Sequence, residues 1–213
     1  MLVQNQVGPI ATSTSISPGL QSPARAGQLG DTIVSELHGR YYETTYRRAN
    51  FLATSPSASV TSAGIIASGS AYTGLALYNP VGNTNNLVVN KIGASFLVTP
   101  AAALTYGLVV GGVVSTTASV TSANVRNLFS GGAVPSAVAA SVWTPTYGTA
   151  ATVAHVLGTV GTGAITTFNL VPGVIDLEGG LIITPGYFVE IYTSTAANTA
   201  GFLGSIQWEE VPV

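Results

Sequence analysis

The chain has 213 residues and a mass of 21.5 kDa, room for one ordinary domain with a sizeable core. Charged residues make up 7% of it against a norm of about 25%, while hydrophobic residues, at 46%, sit near their norm; small neutral residues replace the charge, and general disorder is excluded. A net charge of −2 supplies no field for a phosphate backbone, which argues against nucleic acid as a partner, and the absence of cysteine removes disulfides, thiolate nucleophiles and Cys-ligated metals.

Residues 1–38 contain Pro9, Pro18, Pro23 and the run Ala11-Thr12-Ser13-Thr14-Ser15, without a sustained hydrophobic period. They read as an extended N-terminal arm, either a loose terminus or a segment that orders against a neighbouring subunit. The first residues have neither the basic stretch nor the unbroken apolar run of a secretory signal, so export by that route is not expected.

Residues 39–213 read as a β-domain, with β-branched and aromatic runs punctuated by turn chemistry every ten residues or so. Strands are expected near 40–52, 74–78, 87–98, 106–115, 138–143, 152–157, 165–170, 181–184, 187–193 and 204–211, eight to ten in all. The joints are Asn79-Pro80-Val81-Gly82-Asn83, Ser130-Gly131-Gly132, Gly161-Thr162-Gly163, Pro172-Gly173 and Thr184-Pro185-Gly186. One helical turn is expected at 122–129, capped by Ser122, with Val125, Leu128 and Phe129 on one face. Strand count and spacing predict an all-β fold, an antiparallel jelly-roll-like β-sandwich carrying the arm.

Residues 92–114 are uncharged, long enough to span a bilayer, and contain Gly107-x-x-x-Gly111. Pro100 breaks the stretch, polar residues and glycines interrupt it, and its halves match strand lengths, so two strands joined by a turn are expected and no membrane partner. No 20–50-residue repeat is present.

Motifs of catalysis are missing. The glycine-dense Gly158–Gly163 run has no Lys and does not lead into a helix, so it reads as a turn; there is no Gly-x-Ser-x-Gly elbow. His38 and His155 allow a triad only arithmetically, and His155 lies in a strand pattern. Asp31, Glu36 and His38 lack metal-ligand spacing, and the pairs Asp176/Glu178 and Glu209/Glu210 do not by adjacency make a glycosidase site. The expectation is no enzyme, no cofactor and no metal.

The charges themselves are unevenly placed: from Ala49 to Ile175 only Lys91 and Arg126 occur. Such a surface is either covered by hydroxyls and amides or faces another chain. The segment Gly39 to Phe51 concentrates Arg40, Tyr41, Tyr42, Glu43, Tyr46, Arg47 and Arg48. Alternation puts Tyr41, Glu43, Thr45 and Arg47 on one face and Tyr42, Thr44, Tyr46 and Arg48 on the other, neither a simple core face. Tyr and Arg are residues that interfaces favour, so this segment is expected to contact a subunit or partner, the alternative being a solvated edge strand. At the C-terminus, Leu181 to Thr193 and Gly201 to Pro212 read as a closing pair of strands, with Trp208 burying area while its N–H finds a partner and Glu209 and Glu210 at a rim.

Taken together, Gly39-Arg40-Tyr41-Tyr42-Glu43, Thr73-Gly74-Leu75-Ala76-Leu77-Tyr78-Asn79-Pro80, the Pro-Gly-Tyr turn and Trp208-Glu209-Glu210-Val211-Pro212 resemble the head decoration, or cement, proteins of tailed bacteriophages. The resemblance spans about residues 39 to 213. It implies a jelly-roll-like homotrimer on the outer capsid surface of a virion, clamping neighbouring major capsid protein subunits. The interface candidates are then Arg40, Tyr41, Tyr42, Glu43, Tyr46, Arg47, Arg48, Trp208, Glu209 and Glu210. The alternative is a carbohydrate- or receptor-binding module of a phage tail or baseplate, since jelly rolls also serve that role and Tyr and Trp stack on sugars.

Overall fold

The computed structural model describes residues 5–6, 24–25, 39–55, 71–96, 103–160, 173–194 and 202–213. The chain divides into two units, Met1–Arg40 and Tyr41–Val213. In the first, β1 (Asn5–Gln6) and β2 (Ala24–Arg25) pair in parallel. The rest of the expected arm lies outside the described residues.

The second unit is all-β and antiparallel except for one short helix. In chain order it comprises α1 (Tyr42–Tyr46), β3 (Asn50–Thr54), β4 (Tyr72–Tyr78), β5 (Asn85–Phe96), β6 (Leu104–Ser122), β7 (Asn124–Asn127), β8 (Val138–Tyr147), β9 (Thr152–Val160), β10 (Val174–Ile183), β11 (Tyr187–Thr193) and β12 (Phe202–Pro212). The first sheet has the order β10-β5-β12-β3-β7 and the second β11-β4-β8-β6-β9. The second sheet closes on itself, because β11 also pairs with β6, so that β11, β4, β8 and β6 form a ring. The 19-residue β6 makes this closure possible. Its first half pairs with β9 and β11, and its second half with β8.

The two sheets pack face to face over one core. Phe51, Leu87, Val89, Ile92, Ile206 and Trp208 come from the first sheet, and Leu75, Leu77, Leu108, Val189 and Ile191 from the second. A separate aromatic cluster of Tyr72, Tyr78, Val109, Val113, Trp143, Phe188 and Tyr192 lies on the other side chains of the ring strands. β4 and β11 are therefore buried on both faces, which is why Leu75-Ala76-Leu77-Tyr78 and Phe188-Val189 read as continuous apolar runs rather than alternations. Gly107 and Gly111 allow close approach: a Cβ at Gly107 would overlap the His155 carbonyl of β9 and press on the Tyr192 ring, and one at Gly111 would press on the Phe188 ring. The spacing that resembles a membrane-helix contact is in fact room for aromatic rings inside the ring of strands. No helix among the described residues is long and apolar enough to cross a membrane.

Several expectations are corrected. Residues 40–52 are not one strand, because α1 precedes β3. Thr45 N–H donates to the Tyr41 carbonyl, and Arg48, at φ 64°, ends the helix while its N–H and that of Ala49 return to Thr45 and Thr44. The expected helical turn at 122–129 is instead the end of β6 and then β7, whose residues Asn124 to Asn127 pair with Thr54 to Phe51. Ser122 lies in β6 and Ala123 N–H bonds to the Ala139 carbonyl, so Ser122 does not start a helix. The Pro185-Gly186 turn is real, with Tyr187 N–H donating to Thr184, yet it carries the chain from the first sheet to the second. β11 and β12 are consequently in different sheets and do not form a closing pair. The strand expected at 165–170 lies outside the described residues.

Candidate interaction surface

Residues 41–48 cross the outer face of the first sheet as a strap. At one end the Tyr41 hydroxyl donates to Asp176 Oδ1 of β10 at 2.6 Å, with Lys91 of β5 4.0 Å from the other carboxylate oxygen and 4.8 Å above the Tyr41 ring. In the middle Asn50 Nδ2 donates to Thr45 Oγ1, Gln207 Nε2 of β12 donates to Asn50 Oδ1, and Arg47 lies near Glu209. At the far end Asn127 of β7 donates from Nδ2 to the carbonyls of Arg48 and Ala133 while its Oδ1 accepts from Phe129 N–H.

This far end builds an exposed aromatic and cationic patch. Helical spacing stacks Tyr42 on Tyr46, centroids 5.9 Å apart; Phe129 meets Tyr46 edge-on at 6.5 Å; the Arg48 guanidinium lies 4.9 Å over the Phe129 ring. Tyr42 and Tyr46 remain 42% and 40% exposed, and Leu128, next to Phe129 in the chain, is exposed too. Arg48 adopts a left-handed conformation that costs an L-residue about 1–2 kcal/mol, and that conformation sets where its side chain starts.

Of the sequence-predicted residues, Tyr41, Tyr42, Glu43, Tyr46, Arg47 and Arg48 belong to the strap, and Arg40 closes the first unit. Glu209 is half-buried near Arg47; burial raises its carboxyl above the ordinary range and the guanidinium partly offsets this. Trp208 and Glu210 do other work. Trp208 is 0% exposed, stacked on Phe51 at 5.7 Å, and its indole N–H has no hydrogen-bond partner among the described residues, contrary to expectation. It is a core residue with no surface to offer a partner. Glu210 accepts from Ala137 N–H, Ser136 Oγ and Asn85 Nδ2, holding the loop before β8. Phe129, Leu128 and Asn127 were missed, because nothing local marks a loop residue as the neighbour of a helix 80 residues earlier in the chain.

Charge is segregated as well. Every charged residue of the strands and strap of the second unit lies on the strap or the first sheet, except Glu190 of β11. The remainder of the second sheet has no Asp, Glu, Lys or Arg.

Little here resembles a catalytic site. His155 sits exposed on β9, no group of three His, Asp or Glu converges among the described residues, and Asp31, Glu36 and His38 lie outside them. A groove of about 330 Å³ at one end of the first sheet is lined by small and apolar groups, among them Ser55, Gly93, Ala94, Leu203 and Gly204, without a titratable side chain. Comparison with protein-family models, with curated proteins and with solved structures found no match to this chain.

Proposed function

We propose that this protein is a structural, non-enzymatic virion component that decorates a phage capsid from its outer surface and stabilises it by binding between major capsid protein subunits, as a jelly-roll-related homotrimer. The observation that carries the reading is the Tyr42/Tyr46/Phe129/Arg48 patch. It has the composition of an interface centre, with rigid aromatic area and a forked cation, on a backbone that is anchored to the sheet by Tyr41 and Asn127. The uncharged second sheet supports it too, since a surface without charge suits contact with further copies of the chain. Repetition by symmetry turns modest contacts of this kind into avidity.

The test is a co-sedimentation assay of purified protein with phage heads that lack it. Wild type is expected to sediment with the heads and Arg48→Gly to lose most of that binding. Failure of wild type to bind such heads would sink the reading. Arg48→Gly suits the purpose because glycine accepts the left-handed backbone at no cost, about 1 kcal/mol gained, while loss of the cation–π contact costs a similar amount, so stability should change by less than about 1 kcal/mol.

The second reading, a carbohydrate-binding module of a tail or baseplate, is favoured by the same exposed stacked tyrosines, which offer flat apolar area to a sugar ring. Reproducible glycan-array hits that vanish in Tyr46→Ala would replace the first reading with this one.

A further inference from the structure

The one charged residue type in the strand ring is turned inward. β11 is paired along both edges, and Glu190 stands in register with Ala76 of β4 and Val109 of β6, neither of which offers a polar partner. Its side chain is 0% exposed. It lies in the same layer as Phe188 and Tyr192, among the aromatic groups of β4 and β8. Neither carboxylate oxygen has a hydrogen-bond partner among the described residues, although the Trp143 indole lies close enough to favour the charged form slightly.

No countercharge is at hand among the described residues of the ring. β4, β6, β8 and β11 contain no Lys, Arg or His and no second acid; their titratable groups are the phenols of Tyr72, Tyr78, Tyr106, Tyr147, Tyr187 and Tyr192. Of the two that interact with Glu190, Tyr72 is committed elsewhere: its hydroxyl donates to the Ile191 carbonyl at 2.6 Å and accepts from Leu75 N–H at 3.1 Å. The phenols of Tyr72 and Tyr147 are themselves raised, first by burial and then by Glu190, and stay neutral through the physiological range. A buried carboxylate with no cation and only the Trp143 indole near it is strongly disfavoured, so the fold accommodates the neutral acid.

We propose that Glu190 is a proton-operated lock: the ring of β4, β8, β6 and β11 closes around its neutral carboxylic acid and is destabilised when that proton leaves. Burial pushes this carboxyl up to about 8 from an ordinary 4.5. Below 4.5 both the folded and the unfolded chain hold the proton and the contribution is fully present. Between 4.5 and about 8 the unfolded chain releases it while the folded chain keeps it, so stability falls as pH rises, approaching tenfold in the folding equilibrium constant per pH unit. Above about 8 both states are ionised and this contribution changes no further.

The experiment is urea unfolding of the intact chain, followed by tryptophan fluorescence from pH 5 to 9. Wild type is expected to lose on the order of a hundredfold in its folding constant between pH 6 and 8. Glu190→Gln should remove most of that slope, and Glu209→Gln, the control for the other carboxyl raised by burial, should remove little of it. A flat wild-type profile, or an unchanged slope in Glu190→Gln, overturns the proposal. Should Glu190→Gln not fold, carbon NMR of Glu209→Gln labelled at the glutamate carboxyls decides: one carboxyl still protonated at pH 7 upholds the lock, and all carboxyls ionised at pH 7 overturns it.

Discussion

Asn79 shows how one buried amide organises a whole corner of this protein. Its Nδ2 donates to the carbonyls of Asn85 and Ile183, its Oδ1 accepts from Asn83, and its backbone bonds to Tyr187 and Gly186, so a single fully buried residue ties the 79–85 turn to the crossing between sheets. Asn79→Ala leaves two carbonyls unpaired, and a loss of about 2–3 kcal/mol is expected in urea unfolding. Glu210→Ala should cost a comparable amount, about 1.5–3 kcal/mol, because Ala137 N–H loses its acceptor and Ser136 its anchor. The Asn79 turn was readable from Asn-Pro-x-Gly-Asn as a turn. Its partners were not readable, since one side-chain bond alone reaches 104 positions along the chain.

At the scale of elements, the ring depends on close approach. Tyr72 curls over Gly74, which sits at φ 149° beside a register shift in β4, and a Cβ there would overlap the Tyr72 hydroxyl. In β6 a Cβ at Gly111 would come within 2.8 Å of the Phe188 ring and 3.2 Å of Ala151 Cα. Gly111→Ala is accordingly expected to lower stability by about 1–3 kcal/mol, measured as the shift in urea midpoint. The strand pattern of β4, β5, β8, β11 and β12 was legible because alternation and turn residues are local signals. The strap was misread for a physical reason: Tyr42 and Tyr46 are four apart, a spacing that shares a face in both a strand and a helix. Which period prevails depends on a neighbouring strand being there to pair, and residues 41–48 lie over the sheet rather than within it. Pro145 likewise fits inside β8 because it lies beyond the stretch that β4 pairs.

Across the whole of the second unit, the main property is polarity: charge on the strap and first sheet, almost none on the second. A chain built to meet further copies through the uncharged sheet should show a native mass near three times 21.5 kDa by light scattering across a dilution series. A monomer at every concentration would remove the trimer from the proposal and shift weight to the recognition module. The charge clusters were visible along the sequence as two terminal groups separated by a nearly uncharged stretch. That the fold brings Tyr41 to Asp176 and Arg47 to Glu209, joining the strap to strands near the C-terminus, was not.

Period, turn chemistry and composition act over a few residues, so the all-β antiparallel class, most strand positions, the turns and the outward-facing Tyr/Arg segment are legible without any structure. That β6 closes a ring, that Trp208 is core, that Phe129 completes the patch and that Glu190 is sealed in without a countercharge among the described residues emerges only from the fold. Those facts depend on which distant strands pair and in what register. Register is set by the summed packing of whole faces, and no local stretch of sequence carries that sum.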